Sequence, residues 1–162
     1  MPTPEAAPPG ASGKAGSTVL FVDDERDMRK LVTFVLGRQG YRVLTAENGV
    51  IGLATLRAEH PDAVILDLMM PEMNGHEVLR QVKADPATQD IPIVVLTAMG
   101  REQDLALSIS LGALSHLEKP YQAQELLREV ERAVAQHRSV HPASSQPQHA
   151  EPAQAPPPAS SV

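Results

Sequence analysis

Residues 62–75, DAVILDLMMPEMNG, run apolar residues straight into an aspartate and then into turn-forming residues. A run this short and this continuously apolar suits a strand buried on both faces, as in a parallel sheet covered by helices. Asp67 stands where the chain must leave that strand, with Pro71 and Gly75 supplying the turn. The arrangement recurs: VLFV (19–22) ends on Asp23-Asp24, IPIVVL (91–96) on Thr97, and LSHLE (114–118) on Lys119-Pro120. As parallel strands, these runs would bring their carboxyl ends to one sheet edge. Carboxylates, a hydroxyl and an ammonium would then meet in the crevice where open α/β sheets bind ligands.

Outward from these runs, strand-like and helical patterns alternate. Strands are expected near 18–23, 41–46, 62–67, 91–97 and 114–118. In the first helix Met28, Leu31, Val32 and Val35 recur at i, i+3, i+4 and i+7, giving one apolar stripe, with Gly37 and Gly40 as stop signals. Further helices are expected near 48–59, 75–83, 101–111 and 121–137, the second ending before Pro61. Leu126, Leu127, Val130, Ala133 and Val134 form the inner side of the last. Repeated βα units with short connections imply right-handed crossovers. The fold class is therefore α/β: a flavodoxin-like, doubly wound five-stranded parallel sheet of order 2-1-3-4-5 with five helices. That order makes strands 1 and 3, which end in Asp23-Asp24 and Asp67, neighbours at the switch point.

The 162 residues suffice for one domain, expected over 17–138. Ten of the 15 prolines lie outside that range, so both ends differ in composition from the middle. Residues 1–16 read as a disordered tail with no apolar block able to serve as a secretion signal. Residues 139–162, rich in Pro, Ala, Gln and Ser with one charged side chain, cannot bury enough surface to offset the entropy of ordering. The absence of cysteine excludes disulfides, thiolate nucleophiles and cysteine-held zinc. No apolar run reaches transmembrane length, so a cytoplasmic protein without membrane insertion is expected. A net charge of −6 with scattered Lys and Arg argues against nucleic-acid binding.

Two adjacent acids at one strand end and a third on the neighbouring strand make an oxygen-rich pocket suited to a hard cation such as Mg²⁺, which also bridges to phosphate. The plainer reading of Asp23-Asp24 is that the pair starts the following helix, Asp being a good N-cap. Asp67 shifts the balance, because a carboxylate beside Mg²⁺ can attack a phosphoryl group once the metal offsets their mutual repulsion. Thr97 could donate a hydrogen bond to a phosphoryl oxygen, and Lys119 could pair with another. A cis Lys119-Pro120 bond would turn the lysine back into the crevice.

With VLFVDDE, VILDLMMPEMNG, IVVLTA and LEKPY in this order, the chain resembles the receiver domain of two-component response regulators over nearly all of residues 18–137. The resemblance implies Asp67 as phosphoacceptor, Asp24 as direct Mg²⁺ ligand, Asp23 as a ligand through water, and the Met69 carbonyl as completing the metal site. Thr97 would be the switch hydroxyl and Lys119 the phosphate-sensing ammonium. Receivers usually carry Tyr or Phe three residues before that lysine; here it is His116, read as an edge-strand histidine filling the same space rather than a pH-sensitive switch. The remaining histidines, His60, His76, His137, His141 and His149, lack metal-ligand spacing and are expected to face solvent.

On this resemblance the expected partners are a sensor histidine kinase or histidine phosphotransfer protein, and a downstream effector bound through the face of helix 4, strand 5 and helix 5. The alternative is a relay intermediate that passes its phosphoryl group to a histidine phosphotransfer protein. An enzyme with separate substrate turnover is not expected. Haloacid-dehalogenase-like phosphatases place a second Asp two residues after the nucleophile, where this chain has Met69. Residues after the last helix are too few and too Pro/Gln/Ala-rich for a helix-turn-helix output domain. Met69 and Met99, two residues after Asp67 and Thr97, correspond to positions that flank the approach of water in receivers. Their weakly accepting thioethers predict a long-lived phosphorylated state.

Overall fold

A computed structural model describes residues 16–70 and 73–140. Five strands form one sheet: β1 (Thr18–Val22), β2 (Arg42–Ala46), β3 (Ala63–Asp67), β4 (Ile93–Ala98) and β5 (Ser115–Lys119). Five helices connect and follow them: α1 (Arg26–Gly37), α2 (Gly49–Glu59), α3 (Gly75–Ala84), α4 (Glu102–Ser110) and α5 (Ala123–Val140). The sheet is parallel throughout, in the order β2-β1-β3-β4-β5 expected from the sequence.

The three central strands are apolar at successive positions because each face feeds a different core. Val19 and Phe21, Ala63 and Ile65, and Val94 and Leu96 pack with Val32 and Leu36 of α1 and with Leu126, Val130, Ala133 and Val134 of α5. The alternate residues Leu20 and Val22, Val64 and Leu66, and Ile93 and Val95 pack with Leu53 and Leu56 of α2 and Val78, Leu79 and Val82 of α3. A period of two thus reads onto two helical layers. The edge strands β2 and β5 are only intermittently buried.

Local chemistry sets the helix ends. Asn48 accepts from Ile51 N–H at 2.8 Å and Asn74 from Glu77 N–H at 3.0 Å, capping α2 and α3. Gly40 follows α1 at φ 97°, a left-handed conformation that glycine adopts without strain. Gly75 opens α3 for a different reason from the turn expected of it. A Cβ there would lie 2.7 Å from both the Asp67 carbonyl oxygen and the Leu68 Cα, so glycine lets α3 dock backbone to backbone on the end of β3. Pro71 lies outside the described residues.

Two readings of side-chain environment require correction. Leu31 of α1 is 52% exposed, the buried face being Val32 and Leu36 with Met28 and Val35 beside them, because the sheet meets α1 off the centre of its apolar stripe. His137 is not solvent-facing. It is buried near the C-terminal end of α5, with Nδ1 3.1 Å from Asp62 Oδ1, while Asp62 Oδ2 accepts from Thr18 N–H at 2.8 Å. The partner carboxylate lies 75 residues away in sequence, so no local pattern announces the pair. His60 is exposed, His76 Nε2 lies 3.0 Å from the Asp104 carbonyl oxygen, and His141 and His149 fall outside the described residues.

The α5 helix continues to Val140, and Arg138 Nη2 donates to Ser17 Oγ at 3.0 Å, joining the two ends of the folded region. The tails expected over 1–16 and 139–162 lie almost wholly outside the described residues, Gly16, Ser139 and Val140 excepted. Among the described residues no helix is long and apolar enough to cross a membrane.

Candidate functional site

β1 and β3 are adjacent, with Val22 in register with Leu66, so Asp23 and Asp67 emerge side by side at the carboxyl edge of the sheet. Carboxylate oxygens of Asp23, Asp24 and Asp67 all lie within 4.8 Å of one another. Asp23 and Asp67 are buried and Asp24 is exposed, so the cluster has a closed floor and an open side.

Each buried carboxylate is held by the local backbone. Asp23 Oδ1 accepts from Glu25 N–H at 2.9 Å and its carbonyl accepts from Arg29 Nη1 at 2.9 Å. Asp67 Oδ1 accepts from Met69 N–H at 3.1 Å. The N-cap position of α1 is taken by Glu25 without a side-chain cap bond, so the plainer helix-starting role for the aspartate pair does not account for it.

β4 and β5 bring the other groups. Thr97 is buried at the end of β4, and Ala98 is in register with Lys119. The Lys119-Pro120 peptide is cis, as the sequence predicted. Lys119 Nζ donates to Asp67 Oδ2 at 3.2 Å and lies 3.5 Å from Asp23 Oδ2, bridging the carboxylates of β1 and β3.

The electrostatics are those of clustered acids with one cation between them. Burial, followed by the neighbouring Asp23 carboxylate, pushes Asp67 up to about 6, against the lowering pull of Lys119 and the Met69 N–H. Burial opposes the charge on Lys119, but Asp67 and Asp23 together outweigh it and hold the ammonium above its ordinary value. Asp23 Oδ2 is buried and makes no hydrogen bond among the described residues, its contact with Lys119 being of ion-pair length. A buried carboxylate oxygen that has the Lys119 charge nearby but no hydrogen-bond donor, beside two further carboxylates, is a donor set that fits a hard, oxygen-seeking cation such as Mg²⁺.

Three further expected residues, Met69, Met99 and His116, are solvent-exposed. Met69 and Met99 are 50% and 70% exposed. Met69 is held by a contact the sequence does not signal: Arg101 Nη2 to its Sδ at 3.8 Å. His116 is exposed on β5, in register with Val95, and its side chain has no hydrogen bond or ion pair among the described residues. Also unsignalled are Arg29, which meets Asp23 only through the turn into α1, and Tyr121, whose hydroxyl donates to Met28 Sδ at 3.2 Å. Tyr121 has its acidity weakened by burial and then by Asp23 and Asp67.

Comparison with known proteins agrees with this geometry. Residues 19–131 match the family model of the response regulator receiver domain. The chain is 36% identical to Protein PilH of Pseudomonas aeruginosa over 117 residues, covering 72% of this chain and 97% of that one. It is 38% identical to the phosphate regulon transcriptional regulatory protein PhoB of the same organism, covering 69% of this chain and 49% of PhoB. The match thus spans about half the length of that and several other curated relatives. Among solved structures, the chemotaxis protein CheY4 of Vibrio cholerae is similar at TM-score 0.69 and 32% identity, covering 74% of this chain and 99% of that one. A doubly wound sheet of the expected order, with acids clustered at its switch point and a family match over most of its length, makes this chain a member of the response regulator receiver domain family of two-component systems.

Proposed function

We propose that this receiver accepts a phosphoryl group on Asp67 from a phosphohistidine of a sensor histidine kinase or histidine phosphotransfer protein, and signals by altered binding of an effector protein. The observation that carries the reading is the Lys119 ammonium bridging Asp67 and Asp23 within the carboxylate cluster. A structural ion pair would need one acid. Two buried acids share one ammonium and the exposed Asp24 carboxylate adjoins them, which leaves net negative charge suited to a cation and a phosphoryl group together.

Asp23, Asp24 and Asp67, with the Met69 carbonyl, would hold Mg²⁺, which when bound offsets the charge of the transferring phosphoryl oxygens. An Asp67 carboxylate oxygen attacks phosphorus as the phosphorus–nitrogen bond breaks, and the imidazole leaves with the electron pair. Lys119 moves from carboxylate pairing to a phosphoryl oxygen, and the Thr97 hydroxyl donates to another. Asp67 is the group modified, so no separate substrate is turned over. The phosphorylated state is a population shift, biased by contacts of Thr97 and Lys119 that exist only with phosphate present, and read out on the face of α4, β5 and α5. A cytoplasmic location suits a phosphoryl donor of this kind.

The test is labelling by a histidine kinase with radioactive phosphate. Asp67→Asn should abolish transfer while leaving the circular dichroism spectrum unchanged. Undiminished, acid-stable labelling of that variant would overturn the assignment.

A further inference from the structure

The chain contains no cysteine, so methionine sulfur is its only soft oxidisable side-chain atom. Most methionines of the described residues are sheltered: Met70 is 8% exposed, while Met28 and Met73 pack against the two cores. Met69 and Met99 are the exceptions, and both follow site residues by two positions. Met69 is distinguished further. Its backbone N–H holds Asp67 Oδ1, and its sulfur already faces the guanidinium of Arg101, the residue that precedes α4.

We propose that Met69 is a modification site at which a peroxide forms the sulfoxide, and that this oxidation shortens the life of the phosphoryl group at the neighbouring carboxylate. The inference rests on Asp67 being the phosphoacceptor. In the oxidation by hydrogen peroxide a sulfur lone pair attacks one peroxide oxygen, the oxygen–oxygen bond breaks as a sulfur–oxygen bond forms, and the displaced hydroxide removes the proton from the transferred oxygen and leaves as water. The thioether is oxidised and the peroxide reduced. A thioether is a weak acceptor, whereas a sulfoxide oxygen is a strong acceptor with capacity for more than one donor. One donor is Arg101, whose long contact to sulfur becomes a charge-assisted hydrogen bond to oxygen. The other is water, which a sulfoxide oxygen two residues from Asp67 can hold more strongly than the thioether. Arg101 is itself held by Asp104, Nε to Oδ2 at 2.7 Å, so the oxidised side chain meets a fixed donor. Methionine sulfoxide reductases provide the return step.

The test treats the full chain with limiting hydrogen peroxide, maps the added oxygen by peptide mass spectrometry, and follows loss of label after phosphorylation. Met69 and Met99 should gain oxygen before Met28, Met70 and Met73. Label should decay roughly fivefold faster in the oxidised protein, the effect of about one net hydrogen bond. Met69→Leu should abolish the acceleration, Met99→Leu should retain most of it, Arg101→Ala should reduce it, and treatment with the reductase should reverse it. Oxidation of Met70 in step with Met69, or an equal acceleration in Met69→Leu, overturns the proposal, as does unchanged decay of protein oxidised at Met69. Failure of the underlying reading shows separately, as label that survives Asp67→Asn.

Discussion

At the scale of single residues, the raised folded-state value of Asp67 predicts that its carboxylate destabilises the metal-free fold. Its ordinary value is 3.8 and its folded value about 6, so the unfolded chain ionises first as pH rises. The penalty is absent below the unfolded value, accumulates between about pH 4 and 6, and is complete above that, at roughly 3 kcal/mol. Asp67→Asn should therefore melt higher than the parent protein at pH 7.5 in chelator, by roughly 1–3 kcal/mol of stability, with the difference vanishing near pH 4. Thermal melts across that range check both sign and window; a variant less stable at pH 7.5 would show that the Lys119 pairing dominates instead. Met69 and Met99 bear on lifetime at the same scale. Replacing them together, Met69→Asn with Met99→Glu, should speed loss of label from the isolated protein, because both new side chains can orient water and the thioethers cannot. Unchanged decay would leave the lifetime to partner phosphatases.

Among the elements, the junction of β3 and α3 carries the tightest constraint on the site. The backbone contact that Gly75 permits against Asp67 and Leu68 leaves no space for a methyl group. Gly75→Ala should cost on the order of 1–3 kcal/mol by forcing the start of α3 away from the strand end. The displaced carboxylate should also slow phosphoryl transfer, measured as initial labelling rate. Normal stability with normal labelling would mean that the junction yields more readily than its packing indicates. At the opposite sheet edge, Asp62 holds both the Thr18 N–H and the His137 ring, tying β1 to α5 at a point remote from the carboxylate cluster. This pairing serves the fold.

For the whole molecule, the site is assembled from four strand ends, so a ligand bound there reports on the entire native state. Mg²⁺ should raise the melting temperature in proportion to its occupancy, since it binds the native chain and stabilises by mass action. Asp24→Asn should remove most of that rise, and equal shifts in parent and variant would place the metal elsewhere. Sequence periodicity and strand-end chemistry determined much by themselves: the parallel doubly wound sheet and the presence of Asp23, Asp24, Asp67, Thr97 and Lys119 along one edge, the strand order following from the fold type. These were legible because a strand buried on both faces must be apolar throughout, so each polar residue that ends one marks where the chain leaves the core. Only the tertiary structure decided what those residues meet. The bridge from Lys119 to two carboxylates, the Arg101 contact to Met69 and the burial of His137 against Asp62 all join distant segments. Such pairings depend on where packed helices and strands come to rest in space, and a pattern read along the chain carries no distance between segments far apart in sequence.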